Sequence, residues 1–125
     1  MTAFRAVVLE HFRHPRNRGP LSDPHGSAEG ANPLCGDRIR IQLRAAEGAI
    51  TEARFTADAC ALCIASASLL TEHVRGMRLP EAERLDLTWL HGSLEGEPPP
   101  GRKRCAQLPL ETMHRAIASL YPAPS

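Results

Sequence analysis

Arg38-Ile39-Arg40-Ile41-Gln42-Leu43-Arg44 alternates polar and apolar side chains without a break, which is the period of a strand with one face buried. Ala45 to Gly48 is turn chemistry, and Ile50-Thr51-Glu52-Ala53-Arg54-Phe55-Thr56-Ala57 alternates again. The two runs predict an antiparallel hairpin. After Cys60 the period becomes helical. Ile64, Ala65, Ala67, Ser68, Leu69 and Val74 fall within a predicted helix from Leu62 through Arg75, with Gly76 placed as its stop. The small residues of Ile64-Ala65-Ser66-Ala67-Ser68 would let that helix approach its neighbours closely.

On the N-terminal side, Phe4, Val7, Val8, His11 and Phe12 mark a short amphipathic helix that stops before His14-Pro15. Arg13 to Pro33 is rich in Pro, Gly, Asn and His and reads as a long loop holding at most a short strand. A loop of that length is usually functional or mobile. On the C-terminal side, Pro80 sits at the first position of a second helix, with Glu81 and Glu83 set against its dipole. Thr88 is placed to cap a third short helix ending at Leu94. Glu95 to Arg104, with three consecutive prolines, reads as a stiff extended linker. Ala106, Leu110, Met113, Ile117 and Leu120 then recur at helical spacing. Pro109 is tolerable there only near a first turn. The order is mixed helix and sheet.

A chain of 125 residues predicts one domain, 1–125, able to bury a single core. Its 42% hydrophobic and 23% charged content argues against disorder. A net charge of +1, with arginines scattered rather than striped, gives no reason to expect nucleic acid as a partner. Met1-Thr2-Ala3-Phe4-Arg5 leads straight into the first helical pattern, without the apolar core of a signal peptide. No run approaches the roughly 18 apolar residues of a membrane span. The expected compartment is the reducing cytoplasm, where cysteines act as ligands or reactive thiols rather than disulfide partners.

Of the four cysteines, Cys35 lies in Asn32-Pro33-Leu34-Cys35-Gly36-Asp37, Cys60 follows the second strand, and Cys105 opens the last helical pattern. Separations of about 25 and 45 positions exclude a finger or ribbon built from paired knuckles. Three thiols and the Asp37 carboxylate can supply four ligands for zinc, iron or an iron–sulfur cluster. Gly36 permits a sharp turn that brings Cys35 and Asp37 to one point. Cys60 and Cys105 each lie just ahead of a predicted helix, whose dipole would favour thiolate over thiol. A carboxylate among thiolates is a harder and weaker ligand for soft metals. Such a site is suited to release. Cys63, one turn beyond Cys60, reads as a packing residue in preference to a spare thiol. The six histidines show no paired metal-ligand spacing.

Asn32-Pro33-Leu34-Cys35-Gly36-Asp37 resembles the signature of the IscU/SufU/NifU N-terminal family of iron–sulfur cluster scaffolds. Cys60-Ala61-Leu62-Cys63-Ile64-Ala65-Ser66-Ala67-Ser68-Leu69-Leu70-Thr71-Glu72 is similar to that family's second-cysteine motif, with Ala59 where a glycine commonly precedes the cysteine. His11-Phe12-Arg13-His14-Pro15-Arg16-Asn17-Arg18-Gly19 resembles its N-terminal segment, and Arg104-Cys105-Ala106-Gln107-Leu108 its third-cysteine helix. The likeness covers nearly the whole chain in order. It implies a small SufE/NifU-like α+β fold, with a short antiparallel sheet of about three strands packed against helices. It also implies a metal site of Cys35, Asp37, Cys60 and Cys105, with the three thiols as candidate sulfur acceptors.

By the same resemblance, the chain would not be an enzyme but a scaffold that assembles and passes on a transient [2Fe–2S] cluster and holds zinc at rest. Its partners would be a cysteine desulfurase and recipient apo-proteins. Pro98-Pro99-Pro100-Gly101-Arg102 partly resembles the family's chaperone-binding segment, which leaves an iron–sulfur chaperone open. Arg104 replaces the histidine of the IscU branch, yet the spacing from Cys60 to Cys105 cannot hold the insertion of the SufU branch. The alternative from a neighbouring class is a zinc-dependent sulfurtransferase that accepts persulfide from a desulfurase. A zinc hydrolase or deaminase would need a poised Glu or His, and no His-x-Glu motif provides it.

Overall fold

A computed structural model describes residues 5–121; Phe4, expected in the first helix, lies outside them. The hairpin forms as its alternation requires. Strand β2 (Asp37–Ala46) pairs antiparallel with β3 (Ala49–Asp58), with Ile41 opposite Phe55 and Leu43 opposite Ala53. The register shifts between Arg44 and Ala45, so a bulge precedes the turn and adds local twist. The loop expected between Arg13 and Pro33 holds a third strand, β1 (Gly26–Asn32), antiparallel to β2. The sheet order is β1-β2-β3.

Strand β1 was hard to read because its inward positions are Gly26, Ala28, Gly30 and Asn32, which carry almost no apolar signal. Their smallness has a cause. The long C-terminal helix lies directly on β1, and a Cβ on Gly30 would overlap the Thr112 hydroxyl and press on Leu108. That helix, α5 (Lys103–Ala118), begins earlier than its apolar spacing implies, right after a 3₁₀ turn at Pro100–Arg102. The expected extended linker therefore ends at Pro99. Pro109 consequently sits inside α5, not at its first turn. With no N–H it cannot bond the carbonyl four residues back, which belongs to Cys105.

Helix α2 (Ala61–Val74) is the centre of the molecule. Residues from Leu62 through Ser68, together with Leu70, Thr71 and Val74, are buried, so it is apolar on nearly all sides. One side packs with Ile39, Ile41, Leu43 and Phe55 of the sheet and Met113 and Ile117 of α5. The other meets Val8 of the first helix, α1 (Ala6–Arg13), and Leu90 of a short helix, α4 (Leu87–Ser93). Helix α3 (Leu79–Glu83) starts with Pro80 in its first turn, as expected. The cap of α4 is Asp86, whose side chain accepts from the Trp89 N–H at 3.1 Å, and not Thr88. Aspartate three residues ahead of that donor is the better-placed acceptor.

Alternation also sorts the arginines that look scattered in sequence. Arg38, Arg40, Arg44 and Arg54 share the outer sheet face, interleaved with Glu29, Glu52 and Asp58. Arg40 pairs with Glu29 at 3.0 Å, an exposed contact worth little by itself. The free edge of β3 is covered by the segment after α1. Gly19 N–H donates to the Phe55 carbonyl at 2.8 Å, and Phe55 N–H to the Asn17 carbonyl at 3.0 Å. The same segment is tied to α2 through Ser68, whose hydroxyl lies 2.8 Å from both the Arg16 N–H and His11 Nδ1.

The Gly30 contact sets one expectation. Gly30→Val should lower stability by about 1–3 kcal/mol, the usual cost of overfilling a packed interface. Gly101→Ala, where a Cβ meets nothing within 4 Å, should leave it unchanged. Denaturant midpoints of both variants check this.

His11 sets another. Burial first, then the nearby Arg16 charge, lowers its pKa, against weaker opposite pulls from Glu72 and Glu10. The unfolded chain binds a proton near pH 6.5 that the folded state refuses. Stability should therefore fall as pH drops through about 6.5 toward the lower folded value. His11→Asn should flatten that part of a stability-versus-pH curve. An unchanged slope would refute the assignment.

Candidate metal centre

Three separated chain segments deliver the four residues singled out by spacing, Cys35 and Asp37 coming from one of them. The β1–β2 connection carries Cys35. It is a tight turn in which the Asn32 side chain accepts from the Leu34 N–H at 3.2 Å and the Asn32 carbonyl accepts from Cys35 and Gly36. Gly36 has φ +76°, a left-handed conformation that costs glycine little. Asn32 pairs across the strands with Asp37, so the turn is closed at its base by the first residue of β2. Cys35 stands exposed at the tip. Asp37 is only 2% exposed.

Cys60 is the N-cap of α2, and its side chain makes no capping bond. Its backbone N–H instead donates to Asp37 Oδ1 at 2.9 Å. Cys105 lies within the first turn of α5, as its third residue rather than ahead of it, and is 3% exposed. The donor atoms of Cys35, Asp37 and Cys105 all lie within 4.8 Å of one another. Cys35 Sγ is 2.9 Å from Asp37 Oδ2 and 3.3 Å from Cys105 Sγ. Cys60 Sγ stands at the rim, 3.8 Å from Asp37 Oδ2. Around a tetrahedral zinc with bonds of ~2.3 Å, neighbouring sulfurs lie ~3.8 Å apart, so small side-chain adjustments would fit the set to one ion.

Charge is distributed unevenly. Burial alone would raise the Asp37 carboxyl. Hydrogen bonds from the Cys35 thiol, the Cys60 N–H and the Cys105 and Cys60 thiols together outweigh it and hold Asp37 below the usual carboxylate range. The same contacts act oppositely on Cys105. Burial pushes its thiol up, and its bonds to Cys35, Asp37 and Cys60 push in the same direction. The expectation that a helix dipole would make Cys105 a thiolate is therefore corrected. Without a cation, desolvation and a neighbouring carboxylate win. A bound cation supplies the charge that reverses this balance.

Cys63 is fully buried in the main core beside Ile64 and Ala67, consistent with its reading as a packing residue. The histidines do not join the cluster: among the described residues, the only group of three or more close metal-binding donors is Cys35, Asp37 and Cys105. His11 bonds Ser68, His25 lies 3.0 Å from the Ala45 carbonyl, and His73 stacks on Trp89. What residue spacing could not reveal is the Asp37–Cys60 backbone bond. The sharp turn that Gly36 permits was the part of this loop that the sequence showed.

The family model for the NifU-like N-terminal domain matches residues 3–123. The chain is 38% identical over 116 residues to the iron–sulfur cluster assembly scaffold protein IscU of Aquifex aeolicus, covering 91% of this chain and 73% of that one. It is 35% identical over 81 residues to the zinc-dependent sulfurtransferase SufU of Bacillus subtilis, covering 65% and 54%. The crystal structure of a putative SUF-system scaffold from Fervidobacterium islandicum superposes with a TM-score of 0.79 at 21% identity, covering 92% of this chain and 96% of that one. The chain also spans about a quarter of the bifunctional NifU/MnmA protein of Rubrobacter xylanophilus. With the family model matching nearly end to end, the chain belongs to the NifU-like N-terminal domain family.

Proposed function

We propose that this protein is a scaffold on which an iron–sulfur cluster is assembled and from which it is handed on, with Cys35, Asp37, Cys60 and Cys105 as the site. The observation that carries this is the convergence of three sulfurs and one buried carboxylate from three chain segments, with Cys35 open to solvent. Sulfur would come from a cysteine desulfurase persulfide, for which Cys35, Cys60 and Cys105 are the acceptors. Iron would enter through the exposed side. The cluster is cargo, and zinc is the resting occupant that suits three thiolates and one carboxylate without redox chemistry. Recipient apo-proteins, and a chaperone acting at Pro98–Arg102, complete the proposed partners. On this reading the chain turns over no small-molecule substrate, and it works in the cytoplasm. No helix among the described residues is long and apolar enough to cross a membrane.

A second reading is favoured by the match to a protein named as a zinc-dependent sulfurtransferase. In it, zinc stays, and the protein only accepts persulfide and delivers it elsewhere. Iron and sulfide reconstitution separates the two, since a sulfurtransferase would keep zinc and build no cluster.

Freshly purified protein should carry about one zinc per chain, and a chelator should lower its melting temperature, because metal bound only by the native state adds to stability. Cys35→Ser, Cys60→Ser and Cys105→Ser should each abolish reconstitution, a hydroxyl being a poor soft-metal ligand. Cys63→Ala should retain it. Visible absorbance after reconstitution reads all four. Equal damage from Cys63→Ala would refute the ligand set.

Asp37 is the hard, displaceable ligand. Asp37→Ala should prolong the lifetime of a reconstituted cluster and slow its transfer to an apo-ferredoxin, followed by circular dichroism. It also loses the Cys60 N–H acceptor, at a cost of about 1 kcal/mol. Asp37→Asn can keep that acceptor without the charge, so slowed transfer in both variants assigns release to the carboxylate and not to lost stability. Native transfer rates in both would remove Asp37 from the release step.

A further inference from the structure

Cys60-Ala61-Leu62-Cys63 is a Cys-x-x-Cys pair set at a helix start, and the proposed scaffold chemistry uses only its first member. Cys60 is the half-buried N-cap, and Cys63 lies one turn in, fully buried. The turn between them is closed by the Ile64 N–H donating to the Cys60 carbonyl at 3.1 Å. Helical rise and radius put Cα atoms three residues apart at ~5 Å, inside the ~4.4–6.8 Å window that a disulfide needs. One accessible sulfur at the N-cap with a buried one behind it is also the layout in which Cys-x-x-Cys thiols exchange.

We propose that Cys63 is a resolving thiol that reduces sulfur carried on Cys60 to sulfide. This deepens the scaffold reading and rests on it for the arrival of a persulfide. In the step, the Cys63 sulfur attacks Cys60 Sγ, the bond to the outer sulfur breaks, and a Cys60–Cys63 disulfide forms. The outer sulfur leaves with its own hydrogen and the Cys63 proton as hydrogen sulfide. The two electrons gained by that sulfur come from the two protein thiols, and a dithiol reductant returns the disulfide to its starting state. A cluster contains sulfide, whereas a desulfurase delivers sulfur at the persulfide level, so such a reduction is needed. Burial, then the nearby Asp37, Cys60 and Cys35 charges, favour the Cys63 thiol over its thiolate at rest, so its proton must pass to the departing outer sulfur as the new S–S bond forms. Disulfide formation also withdraws Cys60 from the ligand set, so the site cannot close on metal until the pair is reduced again.

Chelator-treated native protein is exposed to inorganic polysulfide without reductant, desalted, and followed by intact mass, peptide mapping and a sulfide assay. The expected result is loss of the added sulfur as sulfide together with a disulfide mapped to Cys60 and Cys63. In Cys63→Ala the sulfur should stay on the chain, with no such disulfide. Sulfide release from Cys63→Ala equal to native, or a disulfide mapped to Cys35 and Cys105 instead, overturns the inference. A native-like melting curve for Cys63→Ala establishes that retained sulfur reflects the missing thiol and not a damaged fold. Metal and cluster loading are measured on the same preparations. Native protein that forms the disulfide but loads neither supports Cys63 as resolving thiol and counts against the scaffold reading. Protein that loads both but keeps its persulfide overturns the resolving role alone.

Discussion

The Asp37 carboxylate holds the site to the fold. One oxygen takes the Cys60 backbone N–H and the other faces the Cys35 and Cys60 thiols. A single side chain at the start of β2 thus fixes the start of α2 and contacts the Cys35 and Cys60 sulfurs. Apolar packing, which also joins the sheet to the helix, is non-directional. Packing can bring cysteines near one another, but it does not set their angles. The directional bond does.

Around this joint the molecule is arranged so that ligands sit on rigid elements. Helix α2 is buried on nearly every side, so its N-cap cannot drift. Strand β1 lies tight against α5 because Gly26 and Gly30 leave no side chain between them, and this brings Cys105 over the β1–β2 turn. Cys35 alone projects from a turn into solvent. Three well-held donors and one exposed thiol give a site that is preorganised yet can be reached by another protein.

The hairpin and the helix after Cys60 were legible because Ile39, Ile41, Leu43 and Phe55 repeat at period two and the following residues do not. Strand β1 was nearly invisible. Its inward residues are glycine, alanine and asparagine, selected by the closeness of α5, which is a tertiary fact. The start of α5 was misread for a related reason: Lys103 and Arg104 are exposed or half-buried at its first turn and carry no apolar period. That Cys35, Asp37 and Cys105 come together was legible, since they stand at or near element boundaries. Their electrostatics were not. The raised Cys105 thiol depends on burial and on a carboxylate about 70 positions away in sequence.

Pro109 gives the arms of the site unequal stiffness. Its ring lies within α5 and is buried, so the Cys105 carbonyl has lost the donor that the helix ladder would have given it. The turn bearing this ligand is one rung short and leans on the packing of Ala106 and Leu108. Cys60, by contrast, has its carbonyl bonded to Ile64 and its N–H bonded to Asp37. Of the two helix-borne cysteines, Cys105 is therefore the one whose backbone gives way more readily. Cys60, bonded on both sides of its peptide, stays in register with the sheet.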